Sequence, residues 1–541
     1  MKTAQAIARI LKRENVNVVF GYPRNAVLEA AAEVDIRTII VRQERTGLHM
    51  ADALSRMTRG DRMGVFCMQH GPGAENAYGG VAQAYADSVP VLVMPQGYPR
   101  AIAQVPHNYL SAVQMRGVSK HAEWLTSASE TANVMRRAFT QLRNGRPQPV
   151  VVEVPLDVFE EEIDAFDYAP VVKARSAPDP VAIEAAADAL VRAERPVIYA
   201  GQGVHWAAAY AELQALAELL AAPVCTSLPG KSSFDETHPL ALGSGGNALP
   251  GQIPHFLERA DLIFGIGCSF SATSFGIKMP AGKTYIHSTS DPLDLNKTVV
   301  AAQALIGDAR LALAALHRAC ADRLGGAPRD PQAVHDEIRR VEQAWLEKWL
   351  PKLTSTGTPL SPYRVLWDLQ KTVDVRNTII THDAGSPRDQ LTPYWKSITP
   401  LSYIGWGKST QLGYGLGLAM GAKLAHPDKL CINVWGDAAI GFTGMDFETA
   451  VRERLPILSI LLNNNSMAIE LPIMPQATAK YRATDISGDY AAFARALGGY
   501  GERITDPDEI VPAIRRGIAE TEAGRPALLE FMTEKETMIS R

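Results

Sequence analysis

Cysteine is scarce and unpatterned in this chain. Five occur in 541 residues (Cys67, Cys225, Cys268, Cys320 and Cys431), an odd number with no C-x-x-C pair. That excludes a disulfide framework, a zinc knuckle and a thioredoxin-type redox motif, and it fits small buried hydrophobes in a reducing compartment. No uninterrupted apolar run is long enough to span a bilayer, so no membrane partner is expected. Charge of one sign is also lacking: the formal net charge is −4 and no block of Lys and Arg forms a basic arm. Nothing of that kind would neutralise a phosphate backbone, which argues against a nucleic-acid partner. Residues 1–14 read as an amphipathic helix leading into a strand at 16–20, without the apolar core and cleavage site of a signal peptide. The expectation is a cytoplasmic enzyme.

What is present is ordinary globular composition, 46% hydrophobic and 21% charged. At about 150 residues per domain the length suggests three or four domains. Apolar strand-like runs alternate with Ala- and Leu-rich helical stretches in three blocks, 1–165, 181–325 and 355–541. The acidic, proline-containing stretch 160–180 reads as a linker, and 324–362 as a second connection built around a helix. The first and third blocks echo each other. Val81 through Pro90 and Val91 repeats, as helix, apolar residue, Pro and strand, what Phe447 through Pro456 and Ile457 does. The predicted fold class is α/β, with three doubly wound domains.

The chemistry concentrates in the third block. Gly436-Asp437-Ala438 follows the apolar run 430–435, and Asn463-Asn464-Asn465 follows the run 457–462, with 27 residues from Asp437 to Asn464. Each run reads as a buried parallel strand. Strand, turn, helix, strand, turn then sets a carboxylate and an amide oxygen side by side at the carboxyl ends of neighbouring strands, where open α/β sheets bind ligands. Hard oxygen donors there suit Mg²⁺ held together with a diphosphate. Either turn alone is a common structural feature; the spacing of the two is what singles them out.

This pair resembles the diphosphate–metal motif of thiamine diphosphate (ThDP) enzymes, GDG followed after about 25 to 30 residues by NN. Ala438 replaces the third residue, a variant that also appears among acetolactate synthases. The resemblance implies Asp437, Asn464 and the carbonyl of Ser466 as metal ligands. It implies Gly436, Ala438, Ala439 and Met467 around the diphosphate, together with Gly385 and Ser386 after the strand at 378–381. Leu412, 25 residues before Asp437 in the run Ser409 to Gly415, matches the bulky residue that props the cofactor in its bent shape. The Thr410 carbonyl then faces the cofactor's amino group.

In the first block, Glu44 in Arg42-Gln43-Glu44-Arg45 resembles the glutamate that meets the aminopyrimidine. A carboxylate there stabilises the imino tautomer, whose nitrogen takes the thiazolium proton. Gln69-His70-Gly71-Pro72-Gly73 with Asn76 resembles the family's GPG loop, its glycines serving tight turning and close approach. Gln69 and His70 are candidate catalytic residues, as are the polar pair His107-Asn108 and Glu470, the last resembling the Ile-Glu pair of 2-oxo acid decarboxylases.

The middle block offers Gly201-Gln202-Gly203 and Gly265-Ile266-Gly267, neither completing G-x-G-x-x-G. Residues 269–275 lack the charges with which acetolactate synthases hold FAD, so flavin is not expected and a structural role is. The resemblance, spanning the whole chain, implies a ThDP- and Mg²⁺-dependent enzyme that decarboxylates a 2-oxo acid and ligates the product to an aldehyde or ketone. Alternatives are simple decarboxylation, a 2-hydroxyacyl-CoA lyase, or a ThDP-fold subunit that has lost its chemistry. A homodimer or homotetramer with sites between subunits is implied as well.

Overall fold

The long apolar runs become strands buried on both faces, so helices must cover each sheet twice. In the computed structural model, which describes residues 1–164 and 166–541, they form three six-stranded sheets. The expected limit of the first block, Ala165, lies outside the described residues. The first sheet contains β1 (Val18–Gly21), β2 (Arg37–Ile40), β3 (Gly64–Met68), β4 (Val91–Gly97), β5 (His121–Trp124) and β6 (Val150–Pro155). The second contains β7 (Pro196–Ala200), β8 (Val224–Ser227), β9 (Ala241–Gly245), β10 (Leu262–Ile266), β11 (Thr284–Thr289) and β12 (Ala301–Ile306). The third contains β13 (Thr378–His382), β14 (Tyr403–Ile404), β15 (Leu430–Gly436), β16 (Leu458–Asn463), β17 (Tyr500–Ile504) and β18 (Ala527–Met532). Every strand pairing is parallel, which requires a crossover between successive strands and explains the helical stretches.

Sheets one and three share one strand order, β2-β1-β3-β4-β6-β5 and β14-β13-β15-β16-β18-β17. The sequence echo between their blocks is therefore a repeat of topology. The middle sheet runs β9-β8-β7-β10-β11-β12, the order of a dinucleotide fold, with its switch point between β7 and β10. The five cysteines are all buried and unpaired.

The repeated domains are joined through equivalent helices, Glu44–Met57 and Tyr414–Ala425. Their backbones come close because the contact residues are small. A Cβ on Gly417 would lie 2.5 Å from the His49 Cβ, and one on Gly421 would lie 2.4 Å from the Met50 carbonyl oxygen. One apolar core passes through this junction, from Phe20 and Leu48 in the first domain to Trp406, Leu416 and Trp435 in the third. Beside it the buried Arg56 guanidinium donates to Asp52 at 3.0 Å, to the Gly405 carbonyl at 2.8 Å and to the Tyr414 hydroxyl at 2.7 Å. Stranding one charge of such a pair costs about 3–5 kcal/mol, so the network ties the two domains to one relative placement. Among the described residues no helix is long and apolar enough to cross a membrane.

Candidate active site

The third domain brings its motif residues together at one sheet edge. Gly436 of β15 pairs with Leu462 of β16, so the residues following each strand are neighbours. Asp437 opens the Asp437–Thr443 helix and is only 5% exposed. Its Oδ1 accepts the Ala438 N–H at 2.9 Å, and its Oδ2 accepts those of Asn464 and Ser466, each at 3.2 Å. Burial raises the Asp437 carboxyl above its ordinary range, and the Ser466, Ala438 and Asn464 N–H groups pull it back. Asn464 Oδ1 accepts the Ser466 N–H at 2.9 Å. Asn463, by contrast, turns into the sheet and donates to Glu530 at 2.7 Å, so the first Asn of the run is structural.

The loop after β13 completes this half of the site. Gly385 has φ +85°, in the region where a side chain is strained, and a Cβ there would sit 3.5 Å from Ile469. A Cβ on Gly436 would lie 3.7 Å from Pro387, so the ends of β13, β15 and β16 surround one small cleft. Ser386 and Ala438 line it half-buried, Ala439 lies buried beneath, and Met467 is exposed at its lip. Leu412 is half-buried against the core, whereas Thr410 is exposed. Glu470 closes the short turn Ala468–Glu470 next to the cleft.

Sequence reasoning missed the residue that holds these loops in register. Asp383, fully buried, accepts N–H bonds from Ala384 at 2.8 Å and from Gly413 and Gly415 at 2.9 Å each. Burial lifts its carboxyl to about 6 against those three donors. It joins the Gly385 loop to the Leu412 loop. The one signal available was an aspartate placed between a strand end and Ala384-Gly385.

The donor set fits a hard cation. The cleft offers the Asp437 carboxylate, the Asn464 amide and the buried, unpartnered Ser466 hydroxyl. No cluster of three or more His, Cys, Asp or Glu suited to a metal occurs among the described residues. One carboxylate and an amide leave most of a cation's oxygen positions to be filled from a bound diphosphate and water.

The first domain builds a second half-site. Glu44 opens its helix, is 4% exposed and stands at the helix N-terminus, where a negative charge is favoured. Burial raises the Glu44 carboxyl, while its own backbone N–H and the Asn76 side chain lower it. Gly71 has φ +61°, and a Cβ on Gly73 would lie 2.9 Å from Gln69 and 3.6 Å from Glu44 Oε1. The glycines thus let Gln69 and Glu44 share one corner. His70 Nδ1 lies 3.2 Å from Gln96 Nε2, and its ring tilts against Tyr98 at 4.4 Å. Burial first, then the charge of Arg24, lowers the His70 pKa and favours neutral imidazole.

The loop after β4 departs from expectation. His107 is exposed at φ +74°, and Asn108 donates to the Ile102 carbonyl, so neither joins the His70 group within the chain. Tyr109 does, donating to the Gly71 carbonyl at 2.9 Å and to Glu75 at 3.1 Å. Below this loop Glu153, fully buried, accepts the Ala112 N–H at 2.8 Å. Desolvation pushes its carboxyl up to about 7. The folded chain therefore holds this proton at pH values where the unfolded chain has released it. This group's contribution to stability is fully present below about pH 4.5, is lost as pH climbs to about 7 and is level above. Glu153→Gln is expected to flatten that slope and to be the more stable form at pH 8, by about 3 kcal/mol at most. Thermal midpoints of both forms between pH 5 and 8 check this; parallel curves would contradict it.

A cavity of about 530 Å³ lies elsewhere, at the switch point of the middle sheet. Gly203 and Gly267 line it, and basic residues such as Arg59, Arg146, Arg175 and Lys408 outnumber the acidic Asp61, Asp294 and Asp308. Residues 269–275 carry no charge, whereas the fold gathers basic groups around them from the first domain, the linker and the third domain.

Fold and site together define a thiamine diphosphate enzyme. Residues 1–116, 183–316 and 383–531 match, in turn, the thiamine pyrophosphate enzyme N-terminal TPP binding domain, central domain and C-terminal TPP binding domain. The chain belongs to this family, in its acetolactate synthase-like group. It is 30% identical to a probable acetolactate synthase large subunit of Methanocaldococcus jannaschii, over 99% of this chain and 92% of that one. It is 29% identical to the acetolactate synthase isozyme 3 large subunit of Escherichia coli, over 98% and 94% respectively. The fold is also that of a benzoylformate decarboxylase from Polynucleobacter necessarius, with a TM-score of 0.83, 20% identity and full coverage of both chains.

Proposed function

We propose that this protein is a ThDP- and Mg²⁺-dependent enzyme that removes CO₂ from a 2-oxo acid and joins the remaining acyl unit to a second carbonyl. The observation that carries this reading is the pairing of the Asp437 carboxylate with Asn464 at the ends of β15 and β16, inside a matched cofactor-binding domain. Full-length similarity to acetolactate synthase large subunits supports ligation as the outcome.

When bound, the cofactor supplies a carbon nucleophile and an electron sink for the pair left by CO₂. The chain does the rest. Asp437, Asn464 and a carbonyl at Ser466 hold Mg²⁺; Gly385, Ser386, Gly436, Ala438 and Ala439 cradle the diphosphate, with Met467 at the lip. Leu412 would pack against the cofactor, and the Thr410 carbonyl would accept a hydrogen bond from it. Glu44, buried and free of any cationic partner, holds a proton shared with a ring nitrogen. Gln69 and neutral His70 would hydrogen-bond the reacting oxygen, and Glu470 would move a proton at the acyl carbon. Glu470 also favours the second reading, in which that carbon is protonated and an aldehyde leaves. No redox step occurs, so flavin has no chemical part.

We further propose that two chains make each site. Asp437 takes its hydrogen bonds from Ala438, Asn464 and Ser466, and among the described residues none joins it to Glu44, which supports a pairing of half-sites across two copies. Exposed apolar side chains flank both: Tyr78, Ile102 and Val105 beside one, Phe442, Met445 and Ile473 beside the other. Such surface marks an interface. Mixing separately inactive Glu44→Gln and Asp437→Asn chains, then allowing exchange, is expected to restore about a quarter of wild-type activity, because half the dimers are mixed and each carries one intact site. No recovery after proven exchange would place both halves in one chain.

The deciding assay offers the purified protein, with ThDP and Mg²⁺, a panel of 2-oxo acids with and without aldehyde and ketone acceptors. CO₂ together with a ligated product supports the first reading, and CO₂ with free aldehyde the second. No CO₂ from any member rejects both.

A further inference from the structure

The turn after β1 carries an arginine in a conformation that favours glycine. Arg24, in Gly21-Tyr22-Pro23-Arg24-Asn25, has φ +77°. For a side-chain-bearing residue this is a strained conformation, and it persists only where the surroundings over-determine it. They do so here. Asn25, buried, donates to the Met68 and Met94 carbonyls at 2.9 Å each, and its Oδ1 accepts the Val27 N–H at 3.0 Å, capping the helix Ala26–Glu33. The Tyr22 N–H donates to the Cys67 carbonyl at 3.2 Å. The turn is thus clamped onto the ends of β3 and β4, immediately before Gln69-His70 and Gln96.

Position and charge then point the same way. β1 lies between β2 and β3, so Arg24 stands at the sheet edge between the loop that delivers Glu44 and the loop that delivers His70. Arg42 and Arg100 are paired, with Glu448 and Asp157, while Arg45 is drawn over the Phe442 ring. Arg24 is exposed and has no carboxylate within ion-pair distance among the described residues. Its field nonetheless reaches His70. The polar groups around it, Gln69, His70, Gln96 and Tyr98, carry no formal charge that would satisfy it.

We propose that Arg24 is a specificity-determining residue that binds a second anionic group on the substrate, so that the enzyme acts on 2-oxo acids bearing a carboxylate, sulfonate or phosphonate beyond the oxo carbon. This rests on the decarboxylating reading above. The reacting carboxylate is not the partner of Arg24. It loses its charge on leaving as CO₂, so an ion pair to it would stabilise the ground state more than the transition state and slow the step. A distal anion keeps its charge throughout and contributes binding at every stage.

The test compares kcat/KM for 2-oxoglutarate, 2-oxoadipate, sulfopyruvate and phosphonopyruvate with that for uncharged-chain 2-oxo acids of matched length, 2-oxobutyrate to 2-oxohexanoate. At least one dianionic substrate is expected to exceed its partner by 10- to 100-fold, the worth of a charge-assisted hydrogen bond. In Arg24→Gly, which removes the charge and relaxes the backbone, that ratio is expected to collapse toward one; Arg24→Lys retains part of it. CO₂ release without dianion preference, or a ratio unchanged in Arg24→Gly, overturns this inference and leaves the proposed reaction standing. Absence of CO₂ from every 2-oxo acid, charged or not, rejects the reaction itself and this inference with it.

Discussion

Glu44→Gln is expected to bind ThDP within a few-fold of wild type and to lose two to four orders of magnitude in kcat, the usual worth of a positioned proton-transfer group. The amide keeps the size of the carboxyl and its place at the helix start, so the fold has little reason to change. What disappears is the one side chain at this corner able to exchange a proton with a ring nitrogen. Glu44 is buried beside Gly73 and Asn76 and lacks a cationic partner, so its proton affinity is raised rather than depressed. A carboxylate pinned by an arginine would be a poor proton store; this one is not. Steady-state rates and cofactor titration by fluorescence, on protein with an unchanged thermal midpoint, separate the two effects. Turnover near wild type would remove Glu44 from the mechanism.

Asp437→Asn is expected to act on the other half of the site and at an earlier stage. The substitution preserves an oxygen for the Asn464 and Ser466 N–H groups but removes the carboxylate assigned to the cation. Divalent-ion-dependent cofactor binding is expected to weaken at least 100-fold, and activity at ordinary cofactor concentration to vanish. Mn²⁺ binding in the presence of ThDP, followed by electron paramagnetic resonance, reports the metal directly. Saturating Mg²⁺ and ThDP are expected to recover part of the rate, which the Glu44 variant does not allow. An Asp437→Asn protein that binds Mn²⁺ and ThDP like wild type would refute the assignment of the metal site.

The two variants differ because the domains play different parts. In the proposed mechanism the third domain grips, through strand-end oxygens and glycine-lined loops, and the first domain moves protons, through a carboxylate at a helix start. Asp383 belongs to the grip without touching a ligand, since its three N–H bonds set the distance between the Gly385 and Leu412 loops.

Local chemistry made much of this legible in the residue order. Parallel strands read as unbroken apolar runs because both faces are covered, and a strand-turn-helix-strand unit of set length places Asp437 beside Asn464 before any coordinates exist. Glu44 and Gly71 to Gly73 were legible by resemblance, for similar reasons of spacing. Contacts between segments distant in the chain were not legible. That Asn463 faces Glu530 while Asn464 faces the cleft depends on the pleat of β16 against β18. That Tyr109, rather than His107 or Asn108, reaches the GPG loop depends on how a long loop is tied down by Glu153. The basic lining of the middle cavity comes from residues such as Arg59 and Arg175, which only domain packing brings to one place.

The sequence by itself determined the fold class, through periodicities within a few dozen residues, and by family resemblance it pointed to thiamine diphosphate and to the residues proposed around it. Tertiary structure alone decided that Asp383 and Glu153 are the buried carboxyls holding the loops, and that Arg24, among the described residues, stands without an ion pair, close enough to act on His70. Burial and pairing are properties of neighbours in space, and the linear order of residues does not specify which neighbours those will be.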